Sequence, residues 1–203
     1  MPSHVLQSPS TLPRWLLFLR QWLRNPLRTA AIAPSGPDLA AAMLAELPAD
    51  TRRVIELGGG TGALTKALLA HGIAPSDLLV LELDKVLHAQ LQQRFPKVPV
   101  LHGDARELSG LARGFVAQAP ADAIVSGLGL LSMPSSLQQD ILSAAFACLR
   151  EGGVFVQFTY GPSAPVRDDV AATLGLRVRR GEFVLRNMPP ATVYVYERGS
   201  PPA

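Results

Sequence analysis

The chain has 203 residues, enough for one well-packed domain and a short appendage. Its 48% hydrophobic and 17% charged residues exclude intrinsic disorder, and Cys148, the only cysteine, excludes an internal disulfide framework or a zinc site of several thiolates and fits a reducing compartment. The net charge of +3 is uneven: residues 1–37 hold four arginines and no acid, leaving −1 on the rest, a distribution that disfavours a basic nucleic-acid channel and asks for a local anionic partner.

Residues 1–12 are polar and rich in Pro and Ser. From Pro13 to Asn25 the spacing predicts a helix with Trp15, Leu16, Phe18, Leu19, Trp22 and Leu23 on one arc of roughly 160°. Arg14, Arg20, Gln21, Arg24 and Asn25 take the other side, and Leu17 is the one large exception. Both tryptophans of the chain lie here, the composition of an interfacial amphipathic helix whose arginines meet anionic lipid phosphates. Packing of this face on its own domain or on a second copy is the plainer alternative. The segment lacks a basic run and a small-residue cleavage site, so no removable export signal is expected. The longest uncharged stretch, Ala123 to Gln139, is interrupted by Ser, Pro, Gly and Gln, so no spanning helix is expected. His4, His71, His88 and His102 show no ligand spacing, so no metal is expected.

A second helix reads from Gly36 or Pro37 to about Leu47, with Ser35 as its candidate N-cap. Strands and helices then alternate. Strands are expected at Arg53–Leu57, Leu78–Leu83, Val98–His102, Ala123–Val125 and Gly153–Thr159. Helices are expected at Gly62–His71, Lys85–Phe95, near Glu107–Gln118, at Ser135–Arg150 and at Pro165–Thr173. This rhythm predicts an α/β, Rossmann-like, mostly parallel sheet with helices on both faces. Leu176–Arg186 and Thr192–Arg198, separated by Asn187-Met188-Pro189-Pro190, read as an antiparallel pair at the sheet edge.

The strongest motif is Glu56-Leu57-Gly58-Gly59-Gly60-Thr61-Gly62, between a strand and a helix. Its glycines permit a sharp turn and close approach of a ligand to the backbone, and the helix start offers free N–H groups. Alone it also fits a dinucleotide pattern through Gly58, Gly60 and Ala63. Its surroundings decide. Glu82 ends the next strand before Leu83, where a carboxylate can take two ribose hydroxyls. Asp104, in Gly103-Asp104-Ala105, follows the third strand and can accept from an adenine amino group, while Glu56 can fix the loop or orient an amino group. Together these describe a pocket for S-adenosylmethionine (SAM). The plainer readings are that Glu82 caps the next helix, that Asp104 shapes a turn, and that Tyr160 is a packed strand-end residue. Likewise Asn187 can serve its turn alone, and Arg28 and Thr29 can be helix-end residues.

On these residues the sequence resembles the class I SAM-dependent methyltransferases, with a seven-strand pattern over about 36–198. It resembles more narrowly the small bacterial phospholipid N-methyltransferases, which convert phosphatidylethanolamine stepwise to phosphatidylcholine and are similar to ribosomal RNA adenine dimethyltransferases. The narrower match rests on Ala31-Ile32-Ala33-Pro34-Ser35, Glu56 to Gly62, Ser126 to Pro134, Gln157 to Gly161 and Asn187 to Ala191. Gly129 departs from the proline expected there. The resemblance implies that Glu56, Gly58, Gly60, Thr61, Gly62, Glu82, Leu83, Asp104, Ala105 and Ser126 bind the cofactor. It implies an acceptor site after the fourth strand, with Arg28, Thr29, Ser35, Leu128, Tyr160 and Asn187 as candidate substrate-binding residues and Tyr160 as the candidate catalytic one. The adenine dimethyltransferases carry an aromatic ring after that strand to stack on the base; Ser126-Gly127-Leu128-Gly129-Leu130 has none, and an aliphatic wall suits a lipid.

The expected arrangement is residues 1–35 as a membrane-interfacial helix and lid, carrying Arg14, Trp15, Phe18, Leu19, Arg20, Trp22 and Arg24, ahead of a methyltransferase domain over 36–203. The expected protein is cytoplasmic and peripheral on the inner face of the membrane, with a phospholipid substrate and no nucleic-acid partner. An RNA adenine N6-methyltransferase and a noncatalytic SAM- and membrane-binding protein are the alternatives.

Overall fold

The computed structural model describes residues 36–199. The expected helix over 13–25 and the residues Arg14, Trp15, Phe18, Leu19, Arg20, Trp22, Arg24, Arg28, Thr29 and Ser35 lie outside them. In chain order the described residues form α1 (Pro37–Ala45), β1 (Val54–Leu57), α2 (Ala63–Ala70), β2 (Leu78–Glu82), α3 (Lys85–Arg94) and β3 (Val100–His102). They continue through α4 (Leu108–Leu111), α5 (Arg113–Val116), β4 (Ala121–Ser126), α6 (Ser135–Phe146), β5 (Leu149–Thr159), α7 (Asp168–Thr173), β6 (Leu176–Val184) and β7 (Ala191–Arg198). The strands make one sheet in the order β3-β2-β1-β4-β5-β7-β6, parallel from β3 to β5 and antiparallel across β7 and β6. This is the expected Rossmann-like sheet with its antiparallel edge.

β1 and β2 are buried along their whole length, because helices cover both faces of a parallel sheet and leave no wet side to alternate toward. On one face Leu39 and Met43 of α1, Leu68 of α2 and Leu91 of α3 pack on Val54, Val80, Val125 and Val156. On the other, Leu108, Phe115, Ile141 and Phe146 pack on Ile55, Leu79, Ile124 and Phe155. Parallel register puts Leu57, Glu82 and Ser126 at the carboxyl tips of adjacent strands.

Several expected elements differ in their bounds, three of them informatively. The single helix near Glu107–Gln118 is a 3-10 turn (Ala105–Glu107) followed by the one-turn helices α4 and α5, since Gly110 and Gly114 weaken a continuous helix there. α6 ends at Phe146 instead of Arg150, and β5 begins at Leu149, four residues earlier than expected. Its register against β4 shifts between Ala121 and Ala123, and Gly152 (φ 70°) supplies a backbone that other residues resist.

The amino ends of the strands are fastened by charge. Arg53 donates to Asp77 (2.7 Å), to the carbonyls of Ala119 (3.2 Å) and Phe115 (2.8 Å), and lies 4.1 Å from the centre of the Phe115 ring. Asp122 accepts from the backbone N–H groups of Arg52 and Arg53 (both 2.8 Å) and from Arg150 (2.7 Å).

Candidate active site

The glycine loop leaves β1, turns back over its own strand tip and enters α2. Gly58, Gly60 and Gly62 have φ of 75°, 52° and 80°, the left-handed region that side chains with a Cβ resist. Their surroundings separate two reasons for glycine. A Cβ on Gly58 would stand 2.9 Å from Leu128 Cδ2, so there glycine permits close packing. A Cβ on Gly60 would find only the Gly58 carbonyl, at 3.9 Å, so there glycine leaves the loop open to an incoming ligand.

Glu82 holds this loop to the next strand. Its Oε2 accepts from the Gly60 N–H and its Oε1 from the Asp84 N–H, both at 2.8 Å, and only 7% of the residue is exposed. The cap of α3 is Asp84, whose Oδ1 accepts from the N–H groups of Val86 and Leu87, so the capping alternative for Glu82 does not hold. Each Glu82 oxygen keeps a second lone pair for the ribose hydroxyls the sequence assigned to it.

Glu56 is fully buried, and its Oε2 accepts from the Thr65 hydroxyl at 2.6 Å. Its Oε1 has no partner among the described residues. Burial pushes its carboxyl up from 4.5 to about 8, against the opposing hydrogen bond from Thr65. A buried carboxylate oxygen left unpaired costs free energy, and an ammonium donor would relieve it. Thr65 was not anticipated; it sits one turn into α2 among Leu64 and Leu68 and reads in sequence as an ordinary core position.

At the third tip Asp104 takes its plainer role as well. Its Oδ1 caps the 3-10 turn by accepting from the Arg106 N–H, and its Oδ2 takes the Arg106 guanidinium at 2.8 Å and 3.1 Å. That hydrogen bond holds the Asp104 carboxyl below the usual carboxylate range. Leu83, Val86 and Leu111 are exposed around the second and third tips, an apolar rim of the kind a nucleobase covers. Thr61 contributes its carbonyl to Arg94 (2.7 Å), and Ala105 is the first residue of the 3-10 turn. A groove of about 810 Å³ between α1 and α2, floored by Ala40, Leu44 and Ala67, reaches the loop at Thr61 and Ala63.

Beyond β4, Ser126 is buried, with its hydroxyl accepting from the Leu128 N–H at 3.3 Å, so it shapes the following loop. Gln157 of β5 donates to the Leu128 carbonyl at 2.8 Å, and Leu128 lies over Gly58. Tyr160 is 9% exposed and meets Phe158 edge-on at 5.2 Å. Burial raises its phenol above the ordinary value, against a hydrogen bond with the Asn187 side chain. Asn187 does more than serve its turn. Its Nδ2 donates to the Pro189 carbonyl at 2.8 Å, and its Oδ1 accepts from the Gly36 N–H at 3.0 Å, tying the β6–β7 connection to the start of α1. Leu128, Tyr160 and Asn187 therefore stand on the β4–β5 side of the glycine loop.

Comparison with known proteins fits this geometry. Residues 54–153 match the family model described as a methyltransferase domain. Over 192 residues the chain is 32% identical to the ornithine lipid N-methyltransferase of Singulisphaera acidiphila, covering 89% of this chain and 94% of that one. The chain belongs to the class I SAM-dependent methyltransferases. This methyltransferase is also 32% identical over 171 residues to the ribosomal RNA small subunit methyltransferase A of Synechococcus elongatus, covering 82% of this chain and 56% of that one. Among solved structures its fold matches SAM-bound CalS10, an amino pentose methyltransferase from Micromonospora echinaspora, with a TM-score of 0.58 at 18% identity, covering 95% of this chain and all of the other.

SAM fits the residues present: an open glycine turn at Gly60, a buried acid with an orphaned oxygen at Glu56, and carboxylates at the next two strand tips. Glu56 would meet its amino group, Glu82 its ribose, and Asp104 and Leu83 its adenine. Bound there, SAM supplies a methyl group made electrophilic by its sulfonium.

Proposed function

We propose that this methyltransferase acts on the headgroup amine of phosphatidylethanolamine and its methylated intermediates, leading to phosphatidylcholine, at the inner face of the cytoplasmic membrane. The observation that supports a lipid acceptor most directly is the loop after β4. Ser126 to Leu130 holds no aromatic ring where the adenine dimethyltransferases stack the base, and the half-buried Leu128 packs over the glycine turn in its place, while Leu130 belongs to the core. The nearly full-length match to an ornithine lipid N-methyltransferase points the same way and favours a second reading, in which the amine belongs to ornithine lipid. Both acceptors present a primary amine on a lipid.

Displacement at a methyl group needs a neutral amine lone pair in line with it, so the protein's part is mostly proximity and orientation. A headgroup amine titrates somewhat like lysine, at roughly pKa 10, and a dry pocket favours its neutral form. Tyr160, buried and hydrogen-bonded to Asn187, orients the amine through its hydroxyl or its ring. Residues 1–35 bring the pocket to the bilayer: Trp15, Phe18, Leu19 and Trp22 enter the interface, and Arg14, Arg20 and Arg24 add about 1 kcal/mol each on anionic lipid. Arg28, Thr29 and Ser35 take the lipid phosphate in this scheme.

Labelled SAM supplied with vesicles of phosphatidylethanolamine, vesicles of ornithine lipid, or ribosomal RNA separates the readings by thin-layer chromatography and RNA recovery. Labelled phosphatidylethanolamine derivatives are expected. Label in ornithine lipid alone replaces the substrate, and label in RNA alone overturns the lipid reading. In the same assay, full turnover by both Tyr160→Phe and Tyr160→Ala removes Tyr160 from its role.

A further inference from the structure

Seven large hydrophobic side chains are exposed among the described residues. Leu83, Val86 and Leu111 surround the expected adenine position. The other four follow one another along β6 and the turn after it: Val178 (48% exposed), Phe183 (52%), Leu185 (71%) and Met188 (86%). No part of the cofactor site uses them.

The backbone groups them deliberately. Val178, Arg180 and Phe183 lie opposite Tyr196, Tyr194 and Thr192 of β7, which alternate along one face of that strand. Phe183 shares this face only because the register shifts between Arg180 and Phe183, where Gly181 and Glu182 form an irregularity; regular alternation would have turned it to the opposite face. Charge follows the same pattern. Residues 176–190 carry four arginines against one glutamate, a net +3, while residues 38–175 carry ten cations against fourteen acids, a net −4. Arg179 is engaged with Glu46 at 2.7 Å, whereas Arg180 and Arg186 form no ion pair among the described residues. Two arginines beside protruding Leu, Met and Phe match an interface of anionic headgroups over hydrocarbon; only Phe183 among these side chains offers a base a stacking surface.

We propose that the exposed part of the β6 face carrying Val178, Arg180 and Phe183, together with Leu185, Arg186 and Met188 of the turn after it, is a second docking surface for an anionic lipid bilayer. This surface is separate from residues 1–35 and rests on the aminolipid reading only for its purpose. Asn187, buried between the exposed Arg186 and Met188, bonds to Gly36 and Tyr160, so the same turn that meets the bilayer forms a wall of the acceptor site. Residues 1–35 join the domain at Gly36, whose N–H donates to Asn187, so the turn lies beside the point where that segment begins.

The test is flotation of the full chain with vesicles of phosphatidylcholine and phosphatidylglycerol, comparing wild type with Phe183→Ser/Leu185→Ser/Met188→Ser and with Arg180→Glu/Arg186→Glu. Each is expected to reduce bound protein by at least about tenfold, with SAM affinity by calorimetry unchanged. Met188→Ser alone, at a position 86% exposed and therefore harmless to folding, is expected to weaken flotation by about threefold. Unchanged flotation of all three variants overturns the proposal, as does absence of wild-type flotation. A wild-type dimer in sedimentation that the triple variant converts to monomer assigns the patch to a second copy, and loss of RNA retention without loss of flotation assigns it to nucleic acid. Methyl transfer to aminolipid dispersed in detergent, which needs no bilayer, is expected to survive in the variants. Its failure in wild type removes the aminolipid reading while flotation still decides the surface.

Discussion

The two ends of the parallel strands use the same residue types to opposite effect. At the amino ends, Arg53 has a partner for every nitrogen and Asp122 accepts three hydrogen bonds, with the Thr51 hydroxyl the one buried side-chain group there that lacks a partner among the described residues. At the carboxyl ends, Glu56 keeps one buried oxygen without a partner among the described residues, and a Cβ on Gly60 would meet only the Gly58 carbonyl. Saturated polar groups lock a fold, while unsatisfied ones hold free energy that a ligand can release. The sheet is thus stabilised at one rim and prepared for binding at the other, as expected where open α/β sheets bind ligands beyond the carboxyl ends of their strands.

The largest effects come from separating these two rims. Arg53→Ala strips a largely buried guanidinium from Asp77, two carbonyls and the Phe115 ring, and is expected to lower unfolding free energy by about 3 kcal/mol in denaturant titration. SAM affinity by calorimetry is expected to stay within about twofold of wild type, because additivity holds for sites without shared partners. Gly60→Val should do the reverse. A β-branched residue at φ 52° strains the turn by about 1–2 kcal/mol and fills the space over the loop, so SAM affinity should fall about a hundredfold with a smaller change in stability. If Arg53→Ala weakened SAM binding as much as Gly60→Val does, the two rims would not be independent.

The sequence showed the carboxyl rim far better than the amino rim, and the reason is physical. Glycine turns, a strand-end Glu82 and the dipeptide Gly103-Asp104 are local patterns with fixed offsets from apolar runs. The amino-end clamp is not local: Arg53 reaches Asp77, Phe115 and Ala119, and Asp122 reaches back to Arg52 and forward to Arg150. The same limit hid Thr65, whose partner Glu56 is nine residues away across the glycine turn. It also hid the engagement of Asp104 by Arg106, which is near in sequence but depends on residues 105–107 forming a 3-10 turn where an α-helix was expected nearby. Asn187 was legible as a turn residue, but its bond to Gly36 lies 151 positions away.

The smallest effect sharpens the comparison most, because it reads the unsatisfied rim directly. Burial raises the Glu56 carboxyl from 4.5 to about 8, so above pH 4.5 the folded chain retains a proton that the unfolded chain releases. The contribution is therefore complete below that pH and is lost as pH rises toward 8. From about pH 6 to about pH 7.5 wild type should lose about 2 kcal/mol of stability through this group, at roughly 1.4 kcal/mol per unit, and Glu56→Gln should lose none of it. An ammonium at the orphaned oxygen favours the charged form, so SAM binding near pH 7 should release close to one proton from wild type, measured by calorimetry in buffers of different ionisation enthalpy. Glu56→Gln should release none. Equal proton release from the two chains would move the SAM amino group away from Glu56 and leave its unpaired oxygen as a structural cost carried for some other reason.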